Sequence, residues 1–218
     1  MSGFSAYASR KALDHIVGKT PWPMPTAYLA LFTATGLDDG TGFTEVAGGS
    51  YSRITTSQID WNAASGVAPA FNSNYNDLSF PVPTWTWGTI LAFGLYDQPT
   101  GGDLLAWDYL GDYSWLPVTI SPASPAVVTH PAHGYSASDN VVFTTEYGGV
   151  APTLSAGSFG LLSVVSPTTN SYTLQNGATA LNASTPGNGN IRKVIPVTIN
   201  ELSGRATFAA GNLKLYLA

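Results

Sequence analysis

The sequence predicts a mainly β protein: an antiparallel β-sandwich or barrel with one N-terminal α-helix and an inserted small β-domain. Three observations carry this. The 218 residues include 23 Gly and 15 Pro, which cut the chain into short segments. Between them lie runs rich in Val, Ile, Thr, Tyr, Phe and Trp, residues that suit a pleated, half-buried surface. Only one long stretch, near the N-terminus, is rich in helix formers and free of breakers. Hydrophobic residues make up 44% and charged residues 10%, so a core is available and the polar surface must come from Ser, Thr, Asn and Gly.

The helix is expected within residues 2–18, with Ser2 or Ser5 as its cap and Gly18 just past its end. Tyr7, Leu13, Ile16 and Val17 form its apolar stripe. Residues 20–25 (TPWPMP) read as a stiff, extended linker. Because residues 1–24 precede the compact domain, they are expected to be dispensable for its core and free to reach a neighbouring subunit. Strands are expected at 27–33, 51–56, 78–81, 87–97 and 104–110, the last two forming a hairpin around residues 99–102. Residues 60–76, rich in Ala, Ser and Asn, are expected to be irregular. Near the C-terminus, Phe208, Leu213, Leu215 and Leu217 predict a hairpin around Gly211 and Asn212.

A short echo marks the domain plan: LPVTI at 116–120 recurs as IPVTI at 195–199. Between them, SPASP (121–125) and PGNGN (186–190) flank short β-like runs at 126–130, 141–145, 160–165 and 171–175. Proline and glycine at both edges suit an insertion boundary. The plan is therefore a helix and linker (1–24), a host β-domain (25–121 and 193–218) and an inserted β-domain (122–192).

Several functions fall away. The net charge is −5 with 8 Lys+Arg, so no basic stripe is present and no nucleic-acid partner is expected. Cys is 0, which removes disulfides, thiolate metal sites and cysteine nucleophiles. No run reaches ~18 apolar residues, so no membrane insertion is expected, and residues 1–19 contain no apolar leader. His130 and His133 lie close together, but the third histidine, His15, is remote, and no metal is expected. Asp38, Asp39 and Glu45 sit in an acidic, Gly-rich loop without the spacing of an EF-hand; a solvated turn is the simpler reading. No G-x-S-x-G elbow and no phosphate-cradling G-x-x-x-x-G-K-[ST] loop occurs. Asp97, Asp103, Asp108 and Asp112 lie near Trp107 and Trp115. They are either a carboxylate pair of the glycosidase kind or hairpin-end residues beside core tryptophans, the simpler reading. No catalytic residue and no cofactor is expected. Trp22, Trp61, Trp85, Trp87, Trp107 and Trp115 fall in or near the host domain and suit a core or a subunit interface.

One ordered series of segments is more specific. ALDHIVGK (12–19), PTAYLALFTA (25–34), TEVAGGSYSRI (44–54), LSFP (78–81), WGT (87–89), GLYD (94–97), TGGDLL (100–105) and FAAGNLKL (208–215) occur in that order. The series resembles a family of bacteriophage and prophage virion proteins, often labelled tail fibre proteins. The insertion, with AVVTHPAHG (126–134), NVVF (140–143) and SYTL (171–174), looks like small β-modules of phage structural proteins. The resemblance implies a structural component of the virion: a spike, fibre or fibre-base protein that docks on the particle and presents a surface to other fibre subunits or the host cell. Its implied partners are other virion proteins (capsid, neck or tail), itself as a homo-oligomer, and a host surface glycan. A capsid decoration protein and a host-glycan-binding module are the alternatives. Glycan contact is expected at exposed Tyr135, Tyr147 and Tyr172. A glycan-degrading enzyme would rest on Asp103 and Asp108.

Overall fold

The computed structural model describes residues 3–23, 25–66, 70–111, 113–145, 148–156 and 160–217. The chain forms two units, Met1–Leu110 with Pro196–Ala218, and Gly111–Ile195. The first is organised around strand Ala27–Ala34. Its sequence, AYLALFTA, is a near-continuous apolar run, and Leu29, Ala30, Leu31 and Phe32 are all buried. Such a run needs cover on both faces. The sheet order is Gly3–Phe4, Leu104–Tyr109, Ala92–Tyr96, Ala27–Ala34, Thr44–Glu45, and Ile54–Thr56 also pairs with Ala27–Ala34. Every one of these pairings is antiparallel. Three two-stranded sheets complete the unit: Gly88–Ile90 with Val197–Ile199, Leu78–Ser79 with Thr207–Phe208, and Ala70–Ser73 with Lys214–Leu217. Leu29, Phe80, Trp87, Ile90, Phe93 and Leu213 lie at the centre of its core.

Helix α1 (Ala6–Ile16) begins at Ser5, whose Oγ accepts the Ala8 N–H at 3.1 Å while its hydroxyl donates to the Leu104 carbonyl. This is the expected cap chemistry. Gly18 takes φ +72°, the left-handed conformation that ends a helix. The structure corrects the view that residues 1–24 stand apart. Gly3 and Phe4 pair with Trp107 and Ala106 as an edge strand. Ala8 is buried, and Tyr7 and Trp22 pack against the core. The first half of the helix is thus part of the unit, and only its second half projects.

Four other expectations change. Residues 51–53 do not join a strand, which is confined to Ile54–Thr56. The stretch 87–97 breaks at Leu91, where the N–H donates to the Phe32 carbonyl and the carbonyl accepts the Leu110 N–H. Its two halves, Gly88–Ile90 and Ala92–Tyr96, therefore serve different sheets. The 60–76 stretch is not wholly irregular: it contains the end of the 3-10 turn Gln58–Asp60 and strand Ala70–Ser73. The C-terminal hairpin does not form, because its two arms pair with Leu78–Ser79 and Ala70–Ser73 rather than with each other.

The second unit is a closed six-stranded antiparallel barrel. Around it run Leu116–Ile120, Gly187–Val194, Asn140–Thr144, Leu162–Val165, Ser171–Asn176 and Val127–Thr129, which returns to Leu116–Ile120. Closure leaves no exposed edge in the ring. Val128, Val141, Leu162, Leu174 and Ile191 fill the interior. Gly189 is required where the wall is tightest: a Cβ there would lie 2.4 Å from the Thr144 carbonyl oxygen. The unit is wider than the 122–192 segment because Leu116–Ile120 pairs along its length with Gly187–Ile191. The two copies of the short echo therefore play different parts, since Val197–Ile199 belongs to the first unit. Trp115 likewise lies in the second unit, where the Arg192 guanidinium sits 4.9 Å from its ring centroid.

Asn74 joins the last segment of the chain to the first unit. It is buried, and its Nδ2 donates to the carbonyls of Asn76 (2.8 Å), Ala209 (2.9 Å) and Phe208 (3.2 Å). Its Oδ1 accepts the Leu213 N–H at 2.9 Å. Asn74→Ala removes all of these and leaves buried backbone groups unmatched, at ~1 kcal/mol or more each. It is expected to destabilise the first unit by about 3 kcal/mol or more, read as a lower urea midpoint for its transition, with the barrel's transition unmoved.

Candidate functional site

Two of the carboxylates nominated by the sequence, Asp97 and Asp108, accept backbone N–H bonds. Asp97 Oδ1 accepts the Asp103 N–H at 2.8 Å, which closes the turn between Ala92–Tyr96 and Leu104–Tyr109. Asp108 is buried in mid-strand, with its Oδ1 accepting the Tyr109 N–H. Asp112 lies outside the described residues. In the acidic loop, Asp39 accepts from the Thr41 N–H (2.9 Å) and hydroxyl (2.7 Å), bonds that hold its carboxyl below the usual range. Asp38 instead accepts the Trp107 indole N–H at 3.0 Å. Glu45 faces Arg53. Three acids of one loop thus serve three separate partners rather than a common cation. Among the described residues no group of three or more His, Cys, Asp or Glu is placed to hold a metal ion.

Tyr51 and Arg53, both within the phage-like series, build the most elaborate polar cluster of the first unit. Arg53 forks onto Glu45, Nε to Oε1 at 2.9 Å and one terminal nitrogen to Oε2 at 2.7 Å. Its other terminal nitrogen donates to the Gln98 and Gly101 carbonyls, both at 2.8 Å. The guanidinium also stacks 3.6 Å from the centroid of Tyr96. The Tyr51 hydroxyl donates to Glu45 Oε1 and accepts the Leu31 N–H, each at 2.9 Å. Burial raises its phenol well above the usual range. The donors of these bonds are directed at the protein's own loops and strands, so the cluster locks them.

In the barrel, His130, His133, Tyr135 and Tyr172 form a tight aromatic group, with centroids 4.8 to 6.0 Å apart. Tyr172 is 1% exposed, so it is a core residue and presents no platform to a sugar; this corrects its expected glycan role. Its position on Ser171–Asn176, facing the barrel interior, is the reason. Tyr135 is half-buried against the same core, and Tyr147 lies outside the described residues. His130 is 4% exposed, with Nδ1 3.2 Å from the Tyr172 hydroxyl. The His133 Nδ1 accepts the Tyr135 N–H at 2.8 Å. His15, on α1 in the other unit, accepts the Trp22 N–H through its own Nδ1.

Among the described residues, the projecting half of α1 leaves an apolar stripe uncovered. Leu13, Ile16 and Val17 are 63%, 76% and 72% exposed. They follow i, i+3, i+4 spacing and so share one face. Sequence periodicity identified this stripe but assigned Tyr7 to the same role, and Tyr7 instead packs inward. A second feature had no local signature: Trp61, just after the 3-10 turn Gln58–Asp60, donates its indole N–H to Thr56 Oγ1 at 3.1 Å. Its setting depends on the distant strand Ala70–Ser73, which sequence texture does not reveal.

Burial, and secondarily the neighbouring His133, lower the His130 pKa below the usual 6.5. The unfolded chain then binds a proton that the folded barrel does not, so stability is expected to fall as pH drops below about 6.5. His130→Gln, which cannot titrate, is expected to flatten this loss in urea midpoints compared between neutral and mildly acid buffer. Comparison with known sequences adds the last observation. A family profile described as "Podophage GP4 fiber I protein gp80" matches residues 3–114, just over half of the chain. The match covers α1, the sheet around Ala27–Ala34 and the Tyr51–Arg53–Glu45 cluster, and stops before the first barrel strand. A comparison with curated proteins gives no significant match. A fold locked by inward-facing polar clusters, with the matched residues spent on that locking, is what a structural part requires: the chain belongs to the podophage GP4 fibre I family and is a phage virion fibre protein.

Proposed function

We propose that this protein is a fibre or fibre-base component that docks on another virion subunit through the projecting half of α1. The observation that supports the reading is the exposed stripe Leu13, Ile16 and Val17 on a helix whose other half is anchored. Anchoring comes from the Gly3–Phe4 edge strand, the Ser5 cap and buried Ala8. A helix held at one end and apolar at the other suits a groove in a partner, read by anchors at i, i+3 and i+4. The occupant is a virion subunit, because a fibre protein associates with other virion components. The barrel, as a β-module of the phage structural kind, is the part that would face other fibre subunits or the host. Low charge also suits close packing between subunits, where charged side chains are depleted.

The double variant Leu13→Glu, Ile16→Glu changes only exposed side chains, so the fold and unfolding midpoint are expected to remain unchanged. Particles complemented with it are expected to lose this protein, measured by immunogold labelling with copy counting. Wild-type incorporation of the variant would overturn the docking role of α1. Label on wild-type particles in small numbers at vertices, neck or tail supports a fibre or fibre base. Label spread over the whole capsid would instead establish a decoration protein.

A further inference from the structure

The first unit contains an open cleft of about 780 Å³ beside Trp61. It is walled by the start of strand Ala27–Ala34, by Thr55 and Thr56, by Gln58 of the 3-10 turn and by Asn72 of strand Ala70–Ser73. This is within the size range of small-molecule sites. The Trp61 ring is set by a relay: its N–H donates to Thr56 Oγ1 at 3.1 Å, and that hydroxyl donates to the Ala27 carbonyl at 2.9 Å. The relay uses the indole's only polar atom, so the ring has nothing but apolar surface left to offer. Pro25 and Ala63 extend that apolar wall.

The polar lining is of one kind, made of hydroxyls and amides. Asn72 Oδ1 is buried and has no hydrogen-bond partner. A buried acceptor without a donor is costly, and its presence on a cleft wall points to a ligand group that satisfies it. Gln58, exposed at the rim, has an amide with no partner among the described residues and can both donate and accept. No Lys, Arg, Asp or Glu is among the described lining residues. The nearest carboxylate in sequence, Asp60, is held by the Ser57 N–H and hydroxyl at 2.8 and 2.9 Å and by Asn76 at 3.1 Å.

An uncharged cleft with a fixed indole on one side and free amides on the other calls for a ligand with an apolar face and an edge that both donates and accepts. A neutral pyranose ring has that form: its C–H face lies on the indole, and its hydroxyls reach Asn72 and Gln58. We propose that the Trp61 cleft is a binding site for an uncharged sugar unit of a glycan. The site lies outside the barrel tyrosines and uses no residue of the α1 face, so it stands or falls independently of the docking role.

The test uses the full chain and saturation-transfer difference NMR with four probes at millimolar concentration: methyl glucoside, methyl galactoside, methyl mannoside and N-acetylglucosamine. At least one is expected to show transfer concentrated on the protons of one ring face. Gln58→Ala, at an exposed side chain, is expected to weaken that binding about fivefold, the worth of one hydrogen bond. Trp61→Ala is expected to weaken it at least about tenfold through lost apolar contact. Because Trp61 also packs on the core, its variant is read only with an unchanged near-ultraviolet circular dichroism spectrum; otherwise Gln58→Ala decides. Transfer to none of the four sugars, or binding that survives the deciding variant undiminished, would overturn the site.

Discussion

Asn74 carries the constraint on which the first unit depends. That unit is made of two chain segments separated by the whole barrel, so its last strands must find their places across a long sequence gap. The Asn74 side chain bonds Phe208, Ala209 and Leu213, and its backbone exchanges bonds with Leu213 and Gly211. One buried amide thereby sets the turn at Gly211 and the register of the strands on either side of it. Leu78–Ser79 and Ala70–Ser73, which flank Asn74, receive Thr207–Phe208 and Lys214–Leu217. A buried amide is costly unless its hydrogen-bonding capacity is filled. This arrangement of the returning segment fills it, which makes the residue a specifier of register as well as a source of stability.

The same logic recurs at the Arg53 cluster. Loops at Gln98 and Gly101, strand Thr44–Glu45 and the Leu31 backbone all end on Arg53, Glu45 or Tyr51. Bidentate, partly buried pairs of this kind impose geometry more than they add net stability. The barrel reaches its definition differently. Ring closure removes its edges, and its interior is almost wholly apolar apart from the His130–Tyr172 contact. One unit is thus held by a few polar fasteners between distant segments, and the other by continuous pairing.

For a virion fibre protein these features matter as rigidity. An anchored helix presents Leu13, Ile16 and Val17 at a fixed angle to the sheet, and a pinned indole at Trp61 presents a fixed face. Preorganised surfaces bind with less conformational entropy to lose. The acids that looked like chemistry in the sequence, Asp97 and Asp108, contribute to the same rigidity by closing a turn and accepting a backbone N–H in mid-strand.

The sequence by itself determined the class of the fold, the helix with a serine cap at Ser2 or Ser5 and its Gly18 stop, the buried strand at 27–33, a hairpin between the 87–97 and 104–110 stretches and, through an ordered series of short segments, the virion family. These are local properties: periodicity, capping and turn chemistry act within a few residues. Tertiary structure decided which strands pair. The pattern around Gly211 favoured a hairpin, yet Asn74 divided its arms between two partners. Two near-identical pentapeptides went to different units. Residues 3–8, free in appearance, became an edge strand and a buried turn, and Tyr172, a plausible platform, became core. The cleft beside Trp61 was illegible for the same reason. Its walls come from four separate stretches of chain, and only long-range register, set by burial and hydrogen-bond satisfaction, brings them together.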